Sequence, residues 1–315
     1  MKRVALTGST GFVGANLARR LLHDGHEVHL LLRPRHAEWR IAEIQESVQT
    51  HILDFSNPDE ALRTIKEIKP DWFFHLAAYG AYASQADLPQ MVQTNIIGTM
   101  NLVNACLVTG FEAFVNAGTS SEYGFKDHAP SETECLEPNS HYAVTKASAT
   151  HFCSYTARSR NVRIRTLRLY SVYGPFEEPT RLIPTLVRHG LDGELPPLVN
   201  PDIARDYVFT EDVSEAFVLA ASQTGADMGG VYNVGTGVQT TLREAVEVAR
   251  RVLNIAPEPH WGSMQQRIWD TNSWVCDRSK IERLLGWRPR VSFEEGFQMT
   301  ADWVRRNPKM YSAMG

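Results

Sequence analysis

The stretch Arg3-Val4-Ala5-Leu6-Thr7-Gly8-Ser9-Thr10-Gly11-Phe12-Val13-Gly14 decides the fold. An apolar run from Arg3 to Thr7 predicts a short strand. Glycines at 8, 11 and 14 predict a tight turn, and an amphipathic helix follows with Leu17, Leu21 and Leu22 on its inner face. Glu27 to Leu32 reads as the second strand, completing a βαβ opening. In that place a glycine turn lets backbone N–H groups approach a pyrophosphate at a helix N-terminus. Gly8, Thr10, Gly11, Phe12 and Val13 are therefore candidate cofactor contacts. A turn whose glycines serve packing alone is the competing reading.

Outward from this turn, the chain has the composition of a globular protein. Its 315 residues suffice for one large domain or a main domain with an appended lobe. Lys and Arg number 32 against 36 Asp and Glu, a net charge of -4, which gives no sign of a nucleic-acid or membrane partner. No apolar run reaches transmembrane length. The start enters a strand directly and does not read as a signal peptide. Cys106, Cys135, Cys153 and Cys276 show no metal spacing, and we expect reduced, buried thiols in a cytoplasmic protein and no bound metal.

The second strand ends in Leu31-Leu32-Arg33-Pro34-Arg35, without the carboxylate that would hold a ribose 2′-hydroxyl. Arg33 and Arg35 suit a 2′-phosphate, so NADP is expected, with NAD as second choice. His51 to Phe55 reads as a third strand, bringing Asp54 and Phe55 towards the adenine. Asp71 to Ala78 reads as a fourth, apolar strand, with His75 a packed residue. Tyr79 to Gln85 is a loop at its carboxyl end, where binding residues concentrate, and Tyr79 is a substrate candidate. Ala113 to Gly118 is the fifth strand. Beyond it, Tyr142 and Lys146 stand one helical turn apart and share a face. An ammonium beside a phenol favours the phenolate, and such a pair exchanges protons with an alcohol or ketone.

The GxxGxxG spacing resembles the extended short-chain dehydrogenase/reductase superfamily, in its NAD(P)-dependent epimerase/dehydratase branch acting on nucleotide sugars. The resemblance runs from Gly8 to Pro289. His75-Leu76-Ala77-Ala78 resembles its HxAA strand, whose small residues admit the cofactor. Thr94 to Thr99 resembles its NxxGT helix, which makes Asn95 a brace. Thr119 stands four residues before the Tyr of Tyr123-Gly124 and would share the reacting proton with Tyr142. Ser120 and Ser121 occupy places where the 4,6-dehydratases carry acids, and Glu122 comes one place too late, which disfavours dehydration. Ser171, where epimerases often have Asn, is a substrate candidate, as are Ser120 and Ser121.

The resemblance further implies that Arg205 and Arg267 grip a diphosphate, with Arg181 a weaker candidate. Trp269 and Trp274 fit either a base pocket or the core. The expected fold class is α/β: a Rossmann-type doubly wound parallel sheet with a smaller C-terminal α/β substrate lobe. Residues 1–170 would form the dinucleotide domain, with segments around 204–235 returning to it, and 171–315 mostly the nucleotide-sugar lobe. Within the branch the chain looks most like NDP-4-keto-6-deoxyhexose reductases of the abequose-synthase kind. The activity implied is NADP-dependent reduction of a keto group at C4. The alternatives are a 4-epimerase, a 4,6-dehydratase, or a non-catalytic NADP sensor. Relatives often dimerise through helices near 90–108 and 143–158, so a homodimer is expected.

Overall fold

The computed structural model describes residues 1–82, 84–225, 227–265 and 271–312. Its centre is a seven-stranded parallel sheet. The first six strands are β1 (Arg3–Thr7), β2 (Glu27–Leu32), β3 (Gln49–Ile52), β4 (Trp72–His75), β5 (Ala113–Thr119) and β6 (Ile164–Leu169). Short strands β7 (Ser171–Tyr173), β8 (Ala204–Arg205) and β9 (Tyr207–Phe209) precede β10 (Val231–Val234), which returns to complete the sheet, and β11 (Thr240–Thr241) pairs with β8. The spatial order is β3-β2-β1-β4-β5-β6-β10. It reverses direction between β1 and β4, so a crevice opens beyond Thr7 and His75, which are partners in register.

Helices cover both faces because the strands are apolar on both sides. On one face α1 (Phe12–His23) packs beside helices of the later chain; on the other lie α2 (Pro58–Ile68), α3 (Leu88–Val92), α4 (Thr99–Thr109) and α5 (His141–Arg160). A third core joins α6 (Leu182–Leu191), α8 (Leu242–Leu253) and α10 (Phe293–Arg306). Between these, α7 (Thr210–Ser222) and α9 (Ser279–Leu285) pack on the first face, and α11 (Pro308–Ser312) ends the described chain. The helix starts are written locally. Asn57 caps α2 through Asp59 N and Glu60 N, with Pro58 in the first turn. Ser140 caps α5 through Ala143 N, which fixes where the helix bearing Tyr142 begins.

Two strands are shorter than expected. Leu53 to Phe55 lies beyond β3, and Leu76 to Ala78 lies beyond β4. Both segments peel away at the crevice edge while staying packed, Leu53 in the core and Phe55 edge-on to His75. The thiols need one correction: Cys106, Cys153 and Cys276 are buried, but Cys135 is exposed, in the irregular segment before α5. No helix among the described residues is long and apolar enough to cross a membrane.

Candidate active site

The crevice begins as a cradle of backbone. Gly8 has φ +74°, and a Cβ there would stand 2.5 Å from the Leu76 carbonyl carbon; one on Gly14 would stand 2.2 Å from Gly8 O. The β1–α1 turn therefore packs directly on the chain leaving β4, as only glycine allows. Gly11 precedes α1 without a side-chain cap, and the Ser9 hydroxyl is buried with no partner. Uncapped N–H groups at a helix start fit a dinucleotide pyrophosphate. Gly8, Gly11, Phe12, Val13, Leu76 and Ala78 line the cleft.

From this cradle a chain of hydrogen bonds runs to α5. The Thr7 hydroxyl lies 2.7 Å from His75 Nδ1, and His75 Nε2 lies 2.9 Å from Thr99 Oγ1. Thr99 donates to Asn95 O, which assigns the imidazole proton to Nε2. Burial, then the Lys146 charge, holds the His75 pKa down to about 3, so the ring is neutral. Asn95 sits in a π-helical turn between α3 and α4. Its amide grips Tyr79 N and O at 2.9 and 2.8 Å and donates to Thr145 Oγ1, which in turn donates to Tyr142 O. Asn95 thus braces the first turn of α5 against the loop after β4.

Thr119, Tyr142 and Lys146 converge on this cleft. Thr119 ends β5, while Tyr142 and Lys146 lie on the first turns of α5. Burial, then the Glu122 charge, pushes the Tyr142 phenol up to about 12, opposed by its hydrogen bond with Thr119. Lys146 is buried, and desolvation lowers its pKa while Glu122 opposes the shift. The expected depression of the phenol by the ammonium is therefore absent. Desolvation wins, and Tyr142 stands as a protonated donor.

Glu122 does not face the cleft. Its carboxylate accepts from Thr119 N at 3.0 Å, Thr150 Oγ1 at 3.1 Å and Arg168 Nε at 2.8 Å. Arg168 also donates to Tyr123 Oη, which donates to Asn233 Oδ1. The loop after β5 is thereby closed as a capping box beneath the site. Ser120 accepts from Trp274 Nε1 at 3.2 Å, and Trp274 lies under the Arg205 guanidinium, 5.7 Å from ring centroid to carbon. Ser120, Ser121, Ser171, Arg181, Arg205 and Trp274 line the same cleft as Tyr142.

Residues 4–235 match the model of the NAD dependent epimerase/dehydratase family. The chain belongs to this family. It is the branch of the extended short-chain dehydrogenases/reductases that the motifs resembled. Among curated relatives is the Arabidopsis thaliana trifunctional UDP-glucose 4,6-dehydratase/UDP-4-keto-6-deoxy-D-glucose 3,5-epimerase/UDP-4-keto-L-rhamnose-reductase RHM1. It is 26% identical over 334 residues, an alignment covering 98% of this chain and 48% of that protein. The chain thus spans about half the length of the first relatives it matches. Among solved structures, UDP-glucose 4-epimerase of Thermotoga maritima with UDP-glucose superposes with a TM-score of 0.87 at 26% identity, covering 97% of this chain and 99% of that one. The Thermus thermophilus UDP-glucose 4-epimerase in complex with NAD gives 0.83 at 30% identity, with 96% and 99% covered.

Several expected contacts of this epimerase/dehydratase chain are not among the residues that line the cleft. The Asp54 carboxylate is exposed and accepts from Ser56 N and Oγ, closing its own turn. Phe55 packs against Gly98. Thr10 O accepts from Arg40, and Thr10 and Ala77 are not among the cleft-lining residues. In the loop after β4, Tyr82 rather than Tyr79 lines the cleft. Arg33 and Arg35 are exposed just past β2. Arg267 and Trp269 lie outside the described residues. Three residues of the cleft and its frame escaped the sequence reading: Tyr82, Arg40 and Glu177. Arg40 is buried and joins the glycine turn to the loop after β7 through Thr10 O and Phe176 O.

Proposed function

We propose that the protein uses NADPH to reduce a keto group, at C4, of a nucleotide-linked 6-deoxyhexose. The observation that carries this reading is the polar set around Tyr142. A protonated phenol and the Thr119 hydroxyl face the cleft, while elimination of water would need an acid where Ser120 and Ser121 stand. The acid that follows them in sequence, Glu122, is committed to Arg168. A nicotinamide dinucleotide held at the Gly8 turn would supply the hydride. Tyr142 donates the proton to the keto oxygen, Thr119 hydrogen-bonds that oxygen, and Lys146 holds the nicotinamide ribose. Arg205, with Arg267, takes the diphosphate, and Arg181, Ser120, Ser121 and Ser171 contact the substrate. Arg33 and Arg35, with no carboxylate beside them, support NADP over NAD.

On this reading residues 1–170, with 204–235, hold the dinucleotide, and 171–315 mostly hold the sugar nucleotide. The protein's function would then be like that of the abequose-synthase-like reductases, in the cytoplasm. Exposed Val108, Val144 and Tyr155 on α4 and α5 support a homodimer through those helices.

A 4-epimerase is the second reading, favoured by the likeness to two UDP-glucose 4-epimerase structures. The test is loss of nicotinamide absorbance when NADPH and a 4-keto-6-deoxy nucleotide sugar are mixed with the protein. Stoichiometric oxidation is expected. Interconversion of a non-keto nucleotide hexose without net cofactor change would replace reduction by epimerisation, and tight NADP binding without turnover would indicate a sensor. Arg33→Ala should weaken NADP more than NAD; equal effects would remove the NADP assignment.

A further inference from the structure

Glu177 lies in the turn after β7, within Gly174-Pro175-Phe176-Glu177-Glu178. Its side chain lines the same cleft as Tyr142. The residue is only 8% exposed, and Oε2 is fully buried without a hydrogen-bond partner. Its neighbour Glu178 pairs with Arg40 at 3.1 Å, so the adjacent cation is already engaged. A buried carboxyl oxygen without a donor is unfavourable and calls for an explanation in a native structure.

The backbone around Glu177 is also held by side chains from distant parts of the chain. Arg40 Nε donates to Phe176 O at 2.8 Å, and the Tyr311 hydroxyl donates to Glu177 O at 2.8 Å. The Phe176 ring lies under the Arg19 guanidinium and against Trp303. Phe176 is nevertheless at φ +69°, a conformation that a bulky residue rarely adopts. The fold thus maintains a strained turn whose next residue lines the cleft and keeps one carboxyl oxygen buried without a donor, a pattern that recurs at ligand clamps.

The surroundings put that acid beside Arg181 and Tyr82. Arg181, the N-cap residue of α6, stands 5.3 Å over the Tyr82 ring. Its charge is felt by Glu177, by Tyr82 and by the Tyr142 phenol. Burial pushes the Glu177 carboxyl up to about 8, with Arg181 opposing, so at neutral pH it carries a proton it can donate. We infer that Glu177 is a specificity-determining residue that hydrogen-bonds a hydroxyl of the sugar, next to Arg181 and Tyr82. This rests on the nucleotide-sugar reading but holds equally for a reductase or an epimerase.

The test compares Glu177→Ala and Glu177→Gln with wild type by calorimetric titration with UDP-glucose, dTDP-glucose, UDP, dTDP and NADPH. Glu177→Ala should weaken whichever sugar nucleotide binds by about tenfold, the scale of one net hydrogen bond. Free nucleotide and NADPH should stay within about twofold, because their contacts lie elsewhere. Glu177→Gln, which keeps the shape and a donor, should recover most of the loss. Sugar-nucleotide affinity unchanged in Glu177→Ala, or an equal loss for the free nucleotide, overturns the assignment while leaving the substrate class intact. A wild type that binds neither sugar nucleotide overturns the substrate class and this inference together.

Discussion

Glu122 and Glu177 are both buried beside one cleft, yet their surroundings are opposite. Glu122 accepts three hydrogen bonds and pairs with Arg168, which is itself anchored on Tyr123. Glu177 has a buried oxygen with no donor, while Arg40, which holds its turn through Phe176 O, pairs with Glu178. The difference separates two uses of a buried acid. A saturated carboxylate is part of the frame that holds Thr119 in place. An unsaturated one is available to a ligand, and burial alone keeps it protonated.

The sharpest way to break this comparison is Glu122→Ala. It leaves the Arg168 guanidinium buried without its counter-charge, which should cost about 3–5 kcal/mol of stability. Urea unfolding reads this directly, and a change under about 1 kcal/mol would mean that Glu122 is not a structural ion-pair partner.

Next in size is a pH effect at Glu177. The folded-state pKa lies above the ordinary value, so the folded protein keeps a proton that the unfolded chain has released. Any contribution is fully present below the unfolded value of 4.5 and is lost as pH rises through about 8. Relative to Glu177→Gln, wild type should lose stability between these pH values, by at most about 5 kcal/mol. Parallel pH–stability curves for the two proteins would show that the carboxyl ionises normally.

The sheet was legible because the strand, glycine turn and helix at residues 3–23 are adjacent in sequence and strongly patterned. The ends of β3 and β4 were not. Leu53 and the segment after His75 keep their apolar character after leaving the ladder, and periodicity reports burial rather than strand pairing. Tyr142 and Lys146 could be singled out from spacing because they share one helix turn, whereas Thr119, at a strand end, followed only from the family resemblance. Glu177 was hidden because its character is an absence of partners. That absence depends on Arg40 turning to Glu178 and on Tyr311 binding the backbone, contacts that cross more than a hundred residues. Asp54 is the converse case: its place after β3 was legible in the sequence, but its hydrogen bonds with Ser56, two positions on, were not.

The central claim is that Tyr142 gives a proton to a sugar oxygen while hydride enters the adjacent carbon. It is tested most directly by incubating wild type and Tyr142→Phe with deuteride-labelled NADPH and a 4-keto-6-deoxy nucleotide sugar, followed by mass spectrometry of the product. Wild type should place a single deuterium at C4. Tyr142→Phe should bind NADPH with nearly unchanged affinity and turn over about 10²–10⁴ times more slowly. Product without deuterium, or undiminished transfer by Tyr142→Phe, would contradict the account.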